Sequence, residues 1–209
     1  MKSSRKNPFL RAIPLQAYTA FLLVSPLSAG TVYWDTNSTT AGSGNADGTW
    51  DAASTNWGDA AGTGTTAIWT AADTAAFAAG TDFTGTRVVT VSGTQSIAGI
   101  LVDSEVVNLT LTGGTLDFGA LQGSINTSAW GTTSGKTFTL NSVITGTNGL
   151  TIASNGDLSA TGGGNGSITR LGGTNTFTGD VTITSGLVAF GSNAAFGNSA
   201  NKIVLNGGG

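Results

Sequence analysis

The 209-residue chain contains no cysteine and no histidine. The first absence excludes disulfides and thiolate metal sites. The second removes the commonest general base and the commonest transition-metal ligand, so an abundant serine has no imidazole to activate it. Charge is also scarce, at 9% of residues, against roughly 25% in an average soluble domain. Beyond the first thirty positions no apolar run approaches the ~20 residues that span a bilayer. The low charge is therefore not that of a helical membrane protein, and no transmembrane helix is expected in the mature chain.

In place of these residues stand 33 glycines, with threonine, serine, asparagine and alanine. Valine, isoleucine, threonine and phenylalanine favour strands, and glycine and asparagine favour turns. The first thirty residues differ from the rest. Lys2, Arg5, Lys6 and Arg11 form a basic head, Ala17 to Val24 an apolar body, and Ser28, Ala29 and Gly30 a small-residue exit. That order describes a secretory signal peptide over residues 1–30. The remaining chain keeps four bases, Arg87, Lys136, Arg170 and Lys202, against all eleven acids, a net of −7. A surface of that sign repels phosphate backbones, so nucleic acid is not an expected partner.

Two zones follow the leader. Residues 31–85 are rich in Trp, Asp and Gly and hold Trp34, Trp50, Trp57 and Trp69. Strand signals there are short: Thr31–Trp34, Ala67–Thr70 and Thr74–Phe77. From about residue 86 to 209 strand follows strand. The run 106–112 alternates, with Val107, Leu109 and Leu111 on one face. Further strands are expected at 87–92, 97–102, 115–118, 136–144, 149–152, 181–184, 187–190 and 202–205, each bounded by Gly or Asn. Ala194–Phe196 is too short for more than one helical turn. Two all-β architectures compete, a sandwich and a parallel β-helix or β-solenoid. A solenoid stacks like positions about 4.8 Å apart, where like charges repel. The scarcity of charge favours the solenoid, preceded by a Trp-rich β cap region over 31–85.

Residues 171–209 carry a resemblance. Asn175-Thr-Phe-Thr-Gly179, then Thr182 and Ile183, then Gly186 and Leu187, resemble the autotransporter-associated β-strand repeat, with Asp180 the one departure. Trp34-Asp-Thr-Asn37, Gly48-Thr-Trp-Asp51 and Asp73-Thr-Ala-Ala-Phe77 are similar to the N-terminal segment of large proteins of that group. The resemblance implies an exported, β-helical passenger at the bacterial cell surface, outer membrane or outside the cell. It also implies a C-terminal outer-membrane barrel or anchor, whose pattern of aromatic girdles is missing here. The chain stops in mid-repeat at Gly207-Gly-Gly209 and reads as a fragment.

Within each repeat Phe177 is expected to point into the coil, and Gly179, Gly186 and Gly191 to turn its corners at positive φ. Asn175 is expected at a turn or in a ladder. No catalytic, cofactor-binding or metal-binding residue is assigned, and the chain is expected not to be an enzyme. Asp35, Asp47, Asp51, Asp59 and Asp73 are candidate sugar-hydrolysing carboxylates, but Asp beside Asn, Thr and Gly is more often a turn residue. Trp34, Trp50, Trp57 and Trp69 are candidate glycan-stacking rings, with core packing as the competing role. Asp35-Thr-Asn37 and Asn45-Ala-Asp47-Gly48 offer hard oxygen ligands that suit calcium, without EF-hand spacing. Gly162–Gly166 lacks the lysine and helix of a phosphate loop. The expected function is a structural, adhesin-like passenger segment, with surface glycans or neighbouring surface proteins as partners. A carbohydrate-binding module and a β-helical carbohydrate-active enzyme are the alternatives.

Overall fold

The computed structural model describes residues 29–103, 107–128, 135–155 and 167–207. The expected leader lies outside them except for its last two residues, as do Val106, Trp130 and the run 162–166.

Seven strands form one long parallel ladder. In spatial order they are β1 (Thr31–Trp34), β4 (Asp73–Phe77), β6 (Thr94–Val102), β9 (Gly123–Thr127), β12 (Leu150–Ser154), β14 (Val181–Ser185) and β16 (Ile203–Leu205). A second ladder runs β2 (Gly48–Trp50), β5 (Gly85–Val91), β7 (Val107–Thr112), β10 (Thr137–Leu140), β13 (Ile168–Leu171) and β15 (Leu187–Phe190). Parallel neighbours need a long crossover between them. Here the crossover from one strand of the first ladder to the next is a strand of the second ladder. The chain therefore winds as a solenoid. On a third side β8 (Thr115–Asp117) pairs with the start of β6 and with β11 (Val143–Thr145). The two-residue β3 (Trp57–Gly58) is antiparallel and closes the outer edge of β1.

The period-two alternation explains which residues meet inside. Val32, Ala75, Ile100, Ile125, Ile152, Ile183 and Leu205 are register partners, one per coil. On the facing ladder Val89, Leu111, Leu140, Leu171 and Phe190 stack likewise. Each fully buried Ile or Leu contributes about 1.5–3 kcal/mol of transfer free energy. Val107, Leu109 and Leu111 share the buried face, as the alternation predicts. The outward rung of the first ladder reads Thr74, Gly99, Ser124, Thr151, Thr182 and Val204, with no charge in it. Stacked like charges would repel there.

In the repeat at 171–207, Phe177 is buried as expected. Asn175 ties three layers together: its Oδ1 accepts the Ile144 N–H and its Nδ2 donates to the Ala195 carbonyl, each at 2.8 Å. Gly179 and Gly186 have positive φ, 100° and 71°. Gly191 does not, which corrects the corner expected there. What it needs instead is room, since a Cβ would stand 3.3 Å from Gly172 Cα. Residues 193–196 make a single 3-10 turn.

The zone 31–85 is continuous with the coil. β1 and β4 already belong to the first ladder, and β2 pairs in parallel with β5. The strand expected at Ala67–Thr70 reduces to an isolated bridge between Ala67 and Trp57.

Candidate functional site

The four tryptophans of the first coil make one aromatic cluster. Alternation turns Trp34 of β1 inward, and the antiparallel register places Trp57 of β3 directly beside it. Trp50 ends β2 and meets Trp57 and Trp69 edge-on, with ring centroids 4.8 and 4.7 Å apart. Trp34 meets Trp57 at 5.4 Å and Phe77 lies against three of the rings. Such pairs contribute about 0.5–1.5 kcal/mol each beyond their burial. None of the four is more than 8% exposed. Of the two roles open to Trp34, Trp50, Trp57 and Trp69 the rings take core packing, which corrects the glycan-stacking alternative: no ring face is open to a sugar. Among the described residues β1 pairs with β4 on one side and the short β3 on the other, and the large rings fill the space between them.

Around the cluster, carboxylates hold the loops. Asp47 accepts the Val88 N–H at 2.8 Å, and Asp73 accepts that of Gly30 at 2.8 Å. Asp51 accepts from Ala53 and Ser54, and Asp59 from Ala61 and Thr63. Backbone donors, Ser54 first for Asp51 and Thr63 first for Asp59, hold both carboxyls below the usual value. Sequence reasoning missed Asp82. It accepts from Ser43 N, Ser43 Oγ and Gly44 N at 2.6, 2.9 and 3.1 Å. Nothing local signals that role, because its partners lie some forty residues earlier in the chain. Each of these carboxylates spends an oxygen on a protein donor, as turn and loop anchors do.

The three loops so held cross at Gly42, Gly62 and Gly80. All three have positive φ. A Cβ on Gly62 would overlap the Gly42 carbonyl, and one on Gly80 would come within 2.8 Å of Gly42 Cα. Only glycine serves at such a crossing.

Of the two candidate calcium segments, Asn45 and Asp47 are engaged by protein. Asn45 Oδ1 accepts from Thr84 N and Arg87 Nε. Asp35 and Asn37 differ. Asp35 is fully buried, and its Oδ1 accepts the Asn37 and Ser38 N–H groups at 3.0 Å. Its Oδ2 and the Oδ1 of Asn37 are buried with no hydrogen-bond partner. Burial pushes the Asp35 carboxyl above its ordinary value, and the charges of Asp59 and Asp82 add to the push against the two backbone donors. Among the described residues no three His, Cys, Asp or Glu side chains converge as a metal cage.

Ile203 and Val204 of the last strand are exposed, and Leu205 is 72% exposed. Phe190 stacks on Phe196 at 4.0 Å. An open hollow of about 560 Å³ lies beside them, lined by Phe196, Asn201 and Ile203 among others.

Over 188 residues the chain is 37% identical to the adhesin BmaC autotransporter of Brucella suis biovar 1 (strain 1330). The match covers 88% of this chain and 5% of the adhesin, so the chain spans a small part of that relative's length. No family model matches the sequence, and no solved structure matches it. Relation to an autotransporter adhesin implies export to the cell surface or outer membrane. Among the described residues no helix is long and apolar enough to cross a membrane. A match along most of the chain, together with the parallel coil, makes this protein an autotransporter passenger-like segment.

Proposed function

We propose that the chain is a non-catalytic, adhesin-like passenger segment whose first coil seals one end of a β-solenoid displayed at the cell surface. The aromatic cluster carries this reading. An uncovered coil end is a sheet edge that recruits other strands, and repeat proteins close such ends with atypical terminal units. Four buried tryptophans, the antiparallel β3 and three carboxylate-held loops are such a unit. The engagement of the carboxylates with backbone N–H groups supports a structural rather than a hydrolytic role for them. The outward faces of the ladders are the surfaces left for neighbouring surface proteins or glycans.

The test compares residues 31–207 with residues 73–207, which lack β1 to β3. Light scattering after gel filtration and thermal melting are the readouts. The sealing role requires the shorter chain to self-associate and to melt at lower temperature. A shorter chain that stays monomeric with an unchanged melting temperature refutes it.

A further inference from the structure

We propose that the leader is cut off between Ala29 and Gly30, and that the ammonium group this frees on Gly30 pairs with the Asp73 carboxylate to fix the start of the first ladder. The proposal rests on the reading of residues 1–30 as a leader and moves its boundary by one residue. By sequence, a cut after Gly30 sets Ser28 and Gly30 at the two positions where small residues are preferred. A cut after Ala29 sets Ala29 at one of them and Leu27 at the other. The hydrogen bonds of the coil favour the second cut.

Gly30 is already part of the coil. Its N–H donates to Asp73 Oδ1 at 2.8 Å, and its carbonyl accepts the Thr74 N–H at 2.8 Å. Parallel register begins at the next residue, where Thr31 stands beside Thr74. A chain that starts at Thr31 loses both bonds. Asp73 is only 8% exposed, and a largely buried acceptor stripped of its donor costs stability. A chain that starts at Gly30 keeps both bonds and changes the character of one. Ala29 and Gly30 are themselves exposed, which leaves water around a terminal amine.

The step is a hydrolysis, carried out by a leader peptidase. The C–N bond between Ala29 and Gly30 breaks. Water gives its oxygen to the Ala29 carbonyl, which leaves with the leader as a carboxylate, and both its hydrogens to the Gly30 nitrogen, which becomes an ammonium. A peptide N–H facing Asp73 thus turns into a full positive charge, and charge-assisted bonds are the stronger kind. The setting lacks any other such charge. Residues 31–85 carry Asp35, Asp47, Asp51, Asp59, Asp73 and Asp82 and no lysine or arginine. The next base along the chain, Arg87, directs its Nε to Asn45 Oδ1 and the Thr84 carbonyl. Fully exposed ion pairs contribute little; the burial of Asp73 sets this pair apart from them.

The cut is tested by producing the 209-residue chain in an exporting bacterium and reading the N-terminal peptide of the exported protein by mass spectrometry. The expected first residue is Gly30. A start at Thr31, Ala29 or elsewhere in the chain overturns the cut, and an exported chain that keeps Met1 overturns the leader reading and the proposal with it. The pair is tested separately. Chains starting at Gly30, with a free or an acetylated amine, are melted with and without Asp73→Asn. Acetylation leaves an N–H for Asp73 and removes only the charge. The free amine should raise the folded-to-unfolded ratio about fivefold, or the melting temperature by about 2–4 °C, and Asp73→Asn should erase the difference. Equal melting of the two chains that keep Asp73 overturns the pair. If Asp73→Asn does not fold, salt at about 1 M takes its place and should close most of the gap. A gap that salt leaves unchanged overturns the pair as well.

Discussion

Asn175 illustrates how one side chain can hold several coils. Its amide reaches back to Ile144 and forward to Ala195. Asn175→Ala leaves both groups buried and unpaired, at about 1–3 kcal/mol each. Denaturant unfolding should show a midpoint shift of that size with an unchanged slope. Carboxyls set the pH response. Asp51 and Asp59 have depressed folded values, so their contribution is complete above the unfolded value of about 3.9 and is lost as pH falls through the folded ones. Asp35 is raised and has the opposite sign. Stability should fall as pH rises from about 4 through its folded value, then level off. Melting curves of Asp35→Asn across that window should lack the fall. The role of Asn175 was legible because its repeat is local. The burial of Trp50 and Trp57 was legible only as the favoured of two roles, because ring type alone does not say which way a side chain faces. Asp82 was illegible for a related reason: its loop and its partners, Ser43 and Gly44, meet only after a full coil has been wound.

At the scale of the strand, the rule is that a residue's neighbours are one coil away rather than one position away. Thr139 of β10 lies in register between Thr110 of β7 and Arg170 of β13. Thr139→Arg puts two guanidinium groups on successive rungs, and Thr139→Glu puts opposite charges there. Cross-strand pairs of this kind differ by about 0.2–1 kcal/mol. The glutamate variant should melt above the arginine variant, and added salt should narrow the gap. Alternation made β7 legible, since Val107, Leu109 and Leu111 announce their face. It failed for β9 and β13. β9 has one branched apolar residue, Ile125. In β13 the inward position between Phe138 and Val188 is Thr169, which is buried and bonded to Thr127 Oγ1 at 2.9 Å. An interior hydroxyl pair inverts the polarity on which strand reading depends. β2 and β3 are too short to show a period at all.

Across the described coils as a whole, the first and the last are unlike. One is closed by aromatic packing. At the other the ladder that buries Ile125 and Ile152 ends on Leu205, largely in water. Local opening follows such gradients of contact. Hydrogen exchange should be fastest in β15 and β16 and slowest in the central strands β6, β9 and β12, and Leu205→Lys should not slow it. Uniform exchange along the coil would contradict a stepwise solenoid. The same polarity has a mechanical side. Strands lying across the long axis resist a pull along it only through their edges, one rung at a time. Tension applied at the β16 edge would peel the coil in order, and each released turn of about 25 residues would add roughly 85 Å of slack. A coil wound this way lengthens turn by turn under load rather than all at once.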